Sequence, residues 1–79
     1  MPKILEVNGY KFSFWSNEGQ EEAHVHINKG GGNAKFWLEP TIKEEYSYGF
    51  TKRERRDIRT LVHKHSLLLI KKWYEYFIE

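Results

Sequence analysis

Apolar residues alternate through the first half of the chain and recur at three- and four-residue steps through its last third. The first pattern predicts strands, the second an amphipathic helix. Lys3 to Val7 is short and β-prone and runs into Asn8-Gly9. That dipeptide between two β-prone runs predicts a tight hairpin, since both central residues of a type I′ turn need positive φ. The second strand, Tyr10 to Ser16, sets Tyr10, Phe12 and Phe14 on one side and Lys11, Ser13 and Trp15 on the other. A polar stretch follows, and Ala23 to Asn28 then alternates again. Val25 and Ile27 are expected in the core, leaving His24 and His26 together on the opposite face. Residues 29–33, with three glycines, read as a turn, and Ala34 to Glu39 as a fourth strand closed by Pro40.

Residues 41–50 show no clean period. Thr51-Lys52-Arg53-Glu54 has the form of a capping box. From there Ile58, Leu61, Val62, His65, Leu68, Leu69, Trp73, Tyr76 and Phe77 mark one helical stripe. A single helix of that span would be roughly 40 Å long, more than a small sheet can cover. A break near His65-Ser66, giving two helices, is therefore the alternative. The expected fold is α+β: a four-stranded antiparallel meander with one long or two shorter C-terminal helices packed on one face. Residues 1–79 form a single domain, with strands within 3–39 and a helical region over 51–78.

Composition narrows the chemistry. The 79 residues contain no cysteine, which removes disulfides, thiolate zinc sites and thiol nucleophiles and fits a reducing compartment. A chain this short buries only about 60% of its unfolded surface. Three Trp, five Tyr and five Phe supply most of what it can bury. No run approaches the roughly 20 apolar residues that span a bilayer. Met1-Pro2-Lys3 leads straight into a strand-like run, so no signal peptide is expected and the location is expected to be cytoplasmic, with no membrane partner.

Net charge is only +2, but it is unevenly placed. From Asn17 to Tyr46 six glutamates outnumber three lysines, and from Thr51 to His65 six Lys and Arg outnumber two acids. Lys52, Arg55, Arg56, Arg59 and His63 lie on one side of the helix, away from its apolar stripe. Such a helix can dock on a sheet while presenting cations to phosphates; a solvated helix face is the plain alternative. Trp37, with Trp15 and Tyr48, offers stacking surfaces that favour RNA over a duplex groove.

His24 and His26 are the catalytic candidates. Two histidines two apart on a strand share a face with Cβ atoms roughly 7 Å apart. That spacing suits a proton shuttle or an anion site. Glu21, Glu22 and His63 or His65 are conceivable further metal ligands, yet no metal or cofactor is assigned, and ordinary hydrogen-bonded histidines remain open. The Gly30-Gly31-Gly32 run joins two strands rather than a strand and a helix, so it reads as a hairpin tip and not a phosphate loop.

The combination resembles the domain-of-unknown-function family forty-one-sixty, short bacterial proteins of about this length. The resemblance covers nearly the whole chain. It rests on Gly9-Tyr10-Lys11-Phe12, Phe14, Ser16-Asn17, His24-Val25-His26-Ile27, Ala34-Lys35-Phe36-Trp37-Leu38-Glu39-Pro40, Tyr48-Gly49-Phe50-Thr51, and the helix carrying Trp73 and Phe77. The family commonly has Pro-Pro where this chain has Glu22-Ala23. The resemblance implies a cytoplasmic prokaryotic protein encoded beside a second small protein in arrangements like toxin–antitoxin pairs. The expected function is thus a component of such a pair that binds its small protein partner and RNA through the basic helix. The alternatives are a metal-independent ribonuclease toxin using His24 and His26, and a metal-binding or purely structural interaction module. A homodimer is compatible with all three.

Overall fold

A computed structural model describes residues 3–15 and 19–77. Five strands precede two helices: β1 (Lys3–Val7), β2 (Tyr10–Ser13), β3 (His24–Lys29), β4 (Gly32–Trp37), β5 (Lys43–Tyr48), α1 (Lys52–Lys64) and α2 (Ser66–Phe77). The sheet is an antiparallel meander in the order β1-β2-β3-β4-β5. The α+β class, the meander and the C-terminal helices are as expected from the sequence.

The expected four strands are five. β5 reads Lys-Glu-Glu-Tyr-Ser-Tyr, with no alternation of apolar residues. An edge strand can lack it, because charged side chains there also discourage pairing with other chains. A bulge adds to the disguise: Lys35 pairs with Tyr46 and Phe36 with Glu44, so Glu45 is an extra residue that breaks the two-residue period.

The Asn8-Gly9 turn forms as its chemistry requires, with φ of 53° and 84° and Val7 opposite Tyr10. β2 ends at Ser13, three residues short of expectation; the expected end, Ser16, lies outside the described residues. The second turn is tighter than expected. Lys29 pairs with Gly32, so Gly32 and Asn33 belong to β4 and only Gly30-Gly31 turn. Gly32 is needed for packing rather than for flexibility: a Cβ there would lie 2.5 Å from the Phe50 ring.

The helical stretch breaks at His65, giving the two-helix form. Thr51 opens α1 with both halves of the capping box: the Glu54 N–H donates to Thr51 Oγ1 at 3.1 Å, and the Thr51 N–H donates to Glu54 Oε1 at 2.9 Å. His65 caps its end with φ −105° and ψ 14°, and α2 restarts at Ser66.

Cross-strand register sorts the sheet into two faces. The inner face carries Tyr10, Phe12, Phe14, Val25, Ile27, Ala34 and Phe36, all buried with Ile58, Leu61 and Val62 of α1 and Leu69 and Trp73 of α2. Of the expected helical stripe, Leu68 and Tyr76 stay exposed. The outer face carries Ser13, His24, His26, Asn28, Asn33, Lys35, Trp37, Tyr46 and Tyr48.

Candidate functional site

His24 and His26 do share the outer face, with ring centroids 5.3 Å apart and ring planes nearly perpendicular. They are not, however, a pair of exposed bases. His24 is 0% and His26 3% exposed. Aromatic rings seal them. His24 lies 5.2 Å from the Trp37 ring and 4.8 Å from that of Trp73, while Trp15 stacks on His26 at 3.9 Å with planes 8° apart.

His24 is also held by hydrogen bonding. Its Nδ1 donates to the Glu22 carbonyl at 2.9 Å, which puts the ring proton on that nitrogen. The next carbonyl, that of Ala23, accepts from the Leu38 N–H at 2.8 Å. Both contacts use carbonyls of the Glu22-Ala23 pair. A buried polar ring must be paired in this way, since leaving it unbonded costs about 1–3 kcal/mol. With no exposed atom, His24 has no surface to offer a substrate. The geometry gives it a structural part.

Trp37, expected as a stacking surface for RNA, belongs to the same cage. It is half-buried; its Nε1–H donates to Glu45 Oε1 at 2.7 Å, and the Lys35 ammonium sits 4.4 Å from its ring centroid. Lys35 itself pairs with Glu21 at 3.1 Å. The β5 bulge thus has a use, since the extra residue carries the carboxylate that fixes the indole.

The basic stripe lies elsewhere. α1 packs on the inner face, so Lys52, Arg55, Arg56, Arg59 and His63 stand across the sheet from the histidines. Two of the five are already engaged. Arg55 donates through Nε and Nη2 to Glu44 Oε2 at 3.3 and 3.0 Å, and Arg59 Nη2 lies 3.9 Å from Glu44 Oε1. Lys52, Arg56 and His63 are exposed. The structure therefore does not bring the two histidines and the arginines into one catalytic surface. Among the described residues no group of three or more His, Asp or Glu side chains is placed to hold a metal ion.

Beside His26 the outer face opens into a cleft of about 290 Å³, lined by Trp15, His26, Asn28, Asn33, Ala34 and Tyr46. Lys35 leans away from it, toward Trp37 and Glu21. Three of the polar lining residues were not expected from the sequence to take part in a site. Asn28 and Asn33 face each other across β3 and β4, and Tyr46 sits on the unexpected strand β5. The parity of His26 and Asn28 was available in the sequence, but the partner strands were needed to close the group.

Two tyrosines have shifted acidities. Burial, with help from the nearby Glu54 and Asp57 charges, pushes the Tyr10 phenol above its ordinary value. The hydrogen bond from the Tyr74 hydroxyl to Glu39 does the same for Tyr74.

The family model for a domain of unknown function, DUF4160, matches residues 9–74. The chain belongs to this family. The matched span runs from the first turn to α2 and takes in His24, His26, Trp37 and the basic stripe, so the aromatic cage lies wholly inside the DUF4160 domain. No curated protein and no solved structure matches the chain. No described helix of this DUF4160 protein is long and apolar enough to cross a membrane.

Proposed function

We propose that this DUF4160 protein is one component of a prokaryotic toxin–antitoxin-type pair that binds a small protein partner and RNA, with the solvent side of α1 as its phosphate-facing surface. The observation that carries the RNA half is the division among the α1 cations. Arg55 and Arg59 converge on Glu44, whereas Lys52, Arg53, Arg56 and His63 are exposed and make no ion pair among the described residues. Such cations neutralise phosphates and release counterions without first giving up a carboxylate. The partner half draws on α2, where Leu67 is 83% exposed and Leu68, Tyr74 and Tyr76 are also exposed. Apolar surface of this kind is what a second protein covers.

The test is binding of a short single-stranded RNA of mixed sequence across a salt series, together with co-purification of the product of the adjacent gene. Binding whose logarithm falls linearly with the logarithm of salt supports the RNA half, and the slope should drop by about 2 in the Lys52→Glu/Arg56→Glu double variant. A protein that ignores both RNA and the neighbouring gene's product would sink the reading.

A further inference from the structure

The cleft beside His26 differs in its lining from the hollow beside Arg55, which holds Glu44, Glu45 and Arg55. Beside Ala34, the cleft's lining residues carry an indole, an imidazole, two carboxamides and a phenol, and none is a Lys, Arg, Asp or Glu. That excludes a bare phosphate or carboxylate as the preferred occupant, because each would want a cation or a cluster of N–H donors. Among the described residues, no three His, Asp or Glu side chains gather there to hold a metal ion. The two amides disfavour a purely apolar ligand, since burying them unpaired is costly.

What fits is a planar, uncharged ring with hydrogen-bonding edges. Trp15 is 41% exposed and already lies in a parallel stack on His26, which an incoming ring can extend. Asn28 and Asn33 are exposed and directly opposite each other in the register. A carboxamide presents a donor and an acceptor side by side, matching the paired donor and acceptor of a base edge. The volume suits one ring system, since pockets for drug-sized ligands start at roughly 300 Å³.

The cleft is also connected to α1. A second, more open depression of about 450 Å³ is lined by Glu44, Glu45, Tyr46, Ser47, Tyr48 and Arg55. Tyr46 lines both hollows, so a chain crossing the β5 edge passes from the foot of α1 to the cleft. Tyr46 and Tyr48 stack with centroids 5.4 Å apart along that path.

We propose that this cleft holds one unpaired nucleobase, stacked on the Trp15–His26 pair and read at its edge by Asn28 and Asn33. The inference rests on the RNA reading above and adds to it the site where a base is recognised. Specificity then comes from the outer face of the sheet, and affinity from α1.

The experiment titrates the full chain with the four free nucleosides, with a methyl glycoside, and with short single-stranded RNAs that carry all bases or lack one internal base. The readouts are the side-chain amide NMR signals of Asn28 and Asn33 and RNA affinity. One nucleoside should shift both amide signals more than the others do. Asn33→Ala should weaken RNA carrying that base about tenfold while leaving the RNA that lacks it unchanged. The Lys52→Glu/Arg56→Glu variant should weaken both RNAs equally. If the two RNAs bind alike and Asn33→Ala changes nothing, the base site is wrong and the RNA reading stands. If nucleosides shift the amides but no RNA binds, the base site stands and the RNA reading falls. Shifts from the glycoside alone, or from no probe at all, overturn the base site.

Discussion

The indole of Trp73 and the imidazole of His24 lie 4.8 Å apart, centroid to centroid, although one belongs to a helix on the inner face of the sheet and the other to the outer face. Trp73 also meets Phe14 of the inner face edge-on at 5.3 Å and Phe77 at 4.1 Å. One side chain therefore ties the last helix to both faces at the end of the sheet. It explains why a polar ring on the outer face, at the start of the central strand β3, is completely buried.

Trp73→Ala should cost about 3–5 kcal/mol, the usual range for a large aromatic removed from a core. A small domain has about 5–15 kcal/mol in all, so the variant should sit near its unfolding threshold. His24→Ala should also be destabilised, by roughly 2–4 kcal/mol, through the cavity and the released Glu22 carbonyl. Urea denaturation followed by tryptophan fluorescence measures both. If His24→Ala kept full stability yet lost an RNA-cleaving activity, a catalytic role would replace the structural one.

Glu44 is the acid that occupies two of the α1 arginines. Glu44→Gln should change stability by less than about 1 kcal/mol, because these pairs are solvent-exposed. The same change frees Arg55 and Arg59. RNA affinity should rise, and the salt slope should steepen by about 1 to 2. Filter binding across a salt series reads this directly; an affinity that falls would show Glu44 to be part of the binding surface.

Adjacent glycines should respond oppositely. Gly32→Ala drives a methyl group into the Phe50 ring, where its Cβ would lie 2.5 Å from the nearest carbon. Overpacking of this sort costs about 1–3 kcal/mol. Gly31→Ala meets nothing within 4 Å and lies at no positive φ, so it should be neutral or slightly stabilising. Thermal melts of the two variants side by side check the contrast.

Alkaline pH should weaken the fold through Tyr10. Tyr10 is 3% exposed and its pKa is raised by burial and by the Glu54 and Asp57 charges, so the folded state holds the proton more tightly than the unfolded chain does. That contribution is complete below the unfolded pKa, near 10, and is lost as pH rises through the higher folded value. Tyr10→Phe keeps the ring beneath the Lys29 ammonium, which lies 4.5 Å from the centroid, but removes the titrating group. Its stability should decline less steeply than that of the parent above pH about 10. Urea midpoints across that range decide it, and parallel curves would assign the decline to other groups.

Much of the frame was legible because it is written in short-range chemistry. Asn8-Gly9 fixes a turn by its φ preferences, Thr51 and Glu54 fix a helix start by two hydrogen bonds, and Tyr10, Phe12 and Phe14 fix a face by parity. β5 was not legible. Its strand identity comes from pairing with β4, and an edge strand with a bulge needs no apolar alternation of its own.

The candidate site divides in the same way. The sequence by itself determined that His24 and His26 share a face, since side chains two apart on a strand must, and that α1 has one apolar and one basic side. Only the tertiary structure decided that Trp37 and Trp73 would enclose His24, that Glu44 would take up Arg55 and Arg59, and that Asn28, Asn33 and Tyr46 would join His26 around a cleft. The reason is range. Periodicity says which way a side chain points, but burial and pairing depend on residues many positions away, brought close only when the strands take their register and the helices close over the sheet.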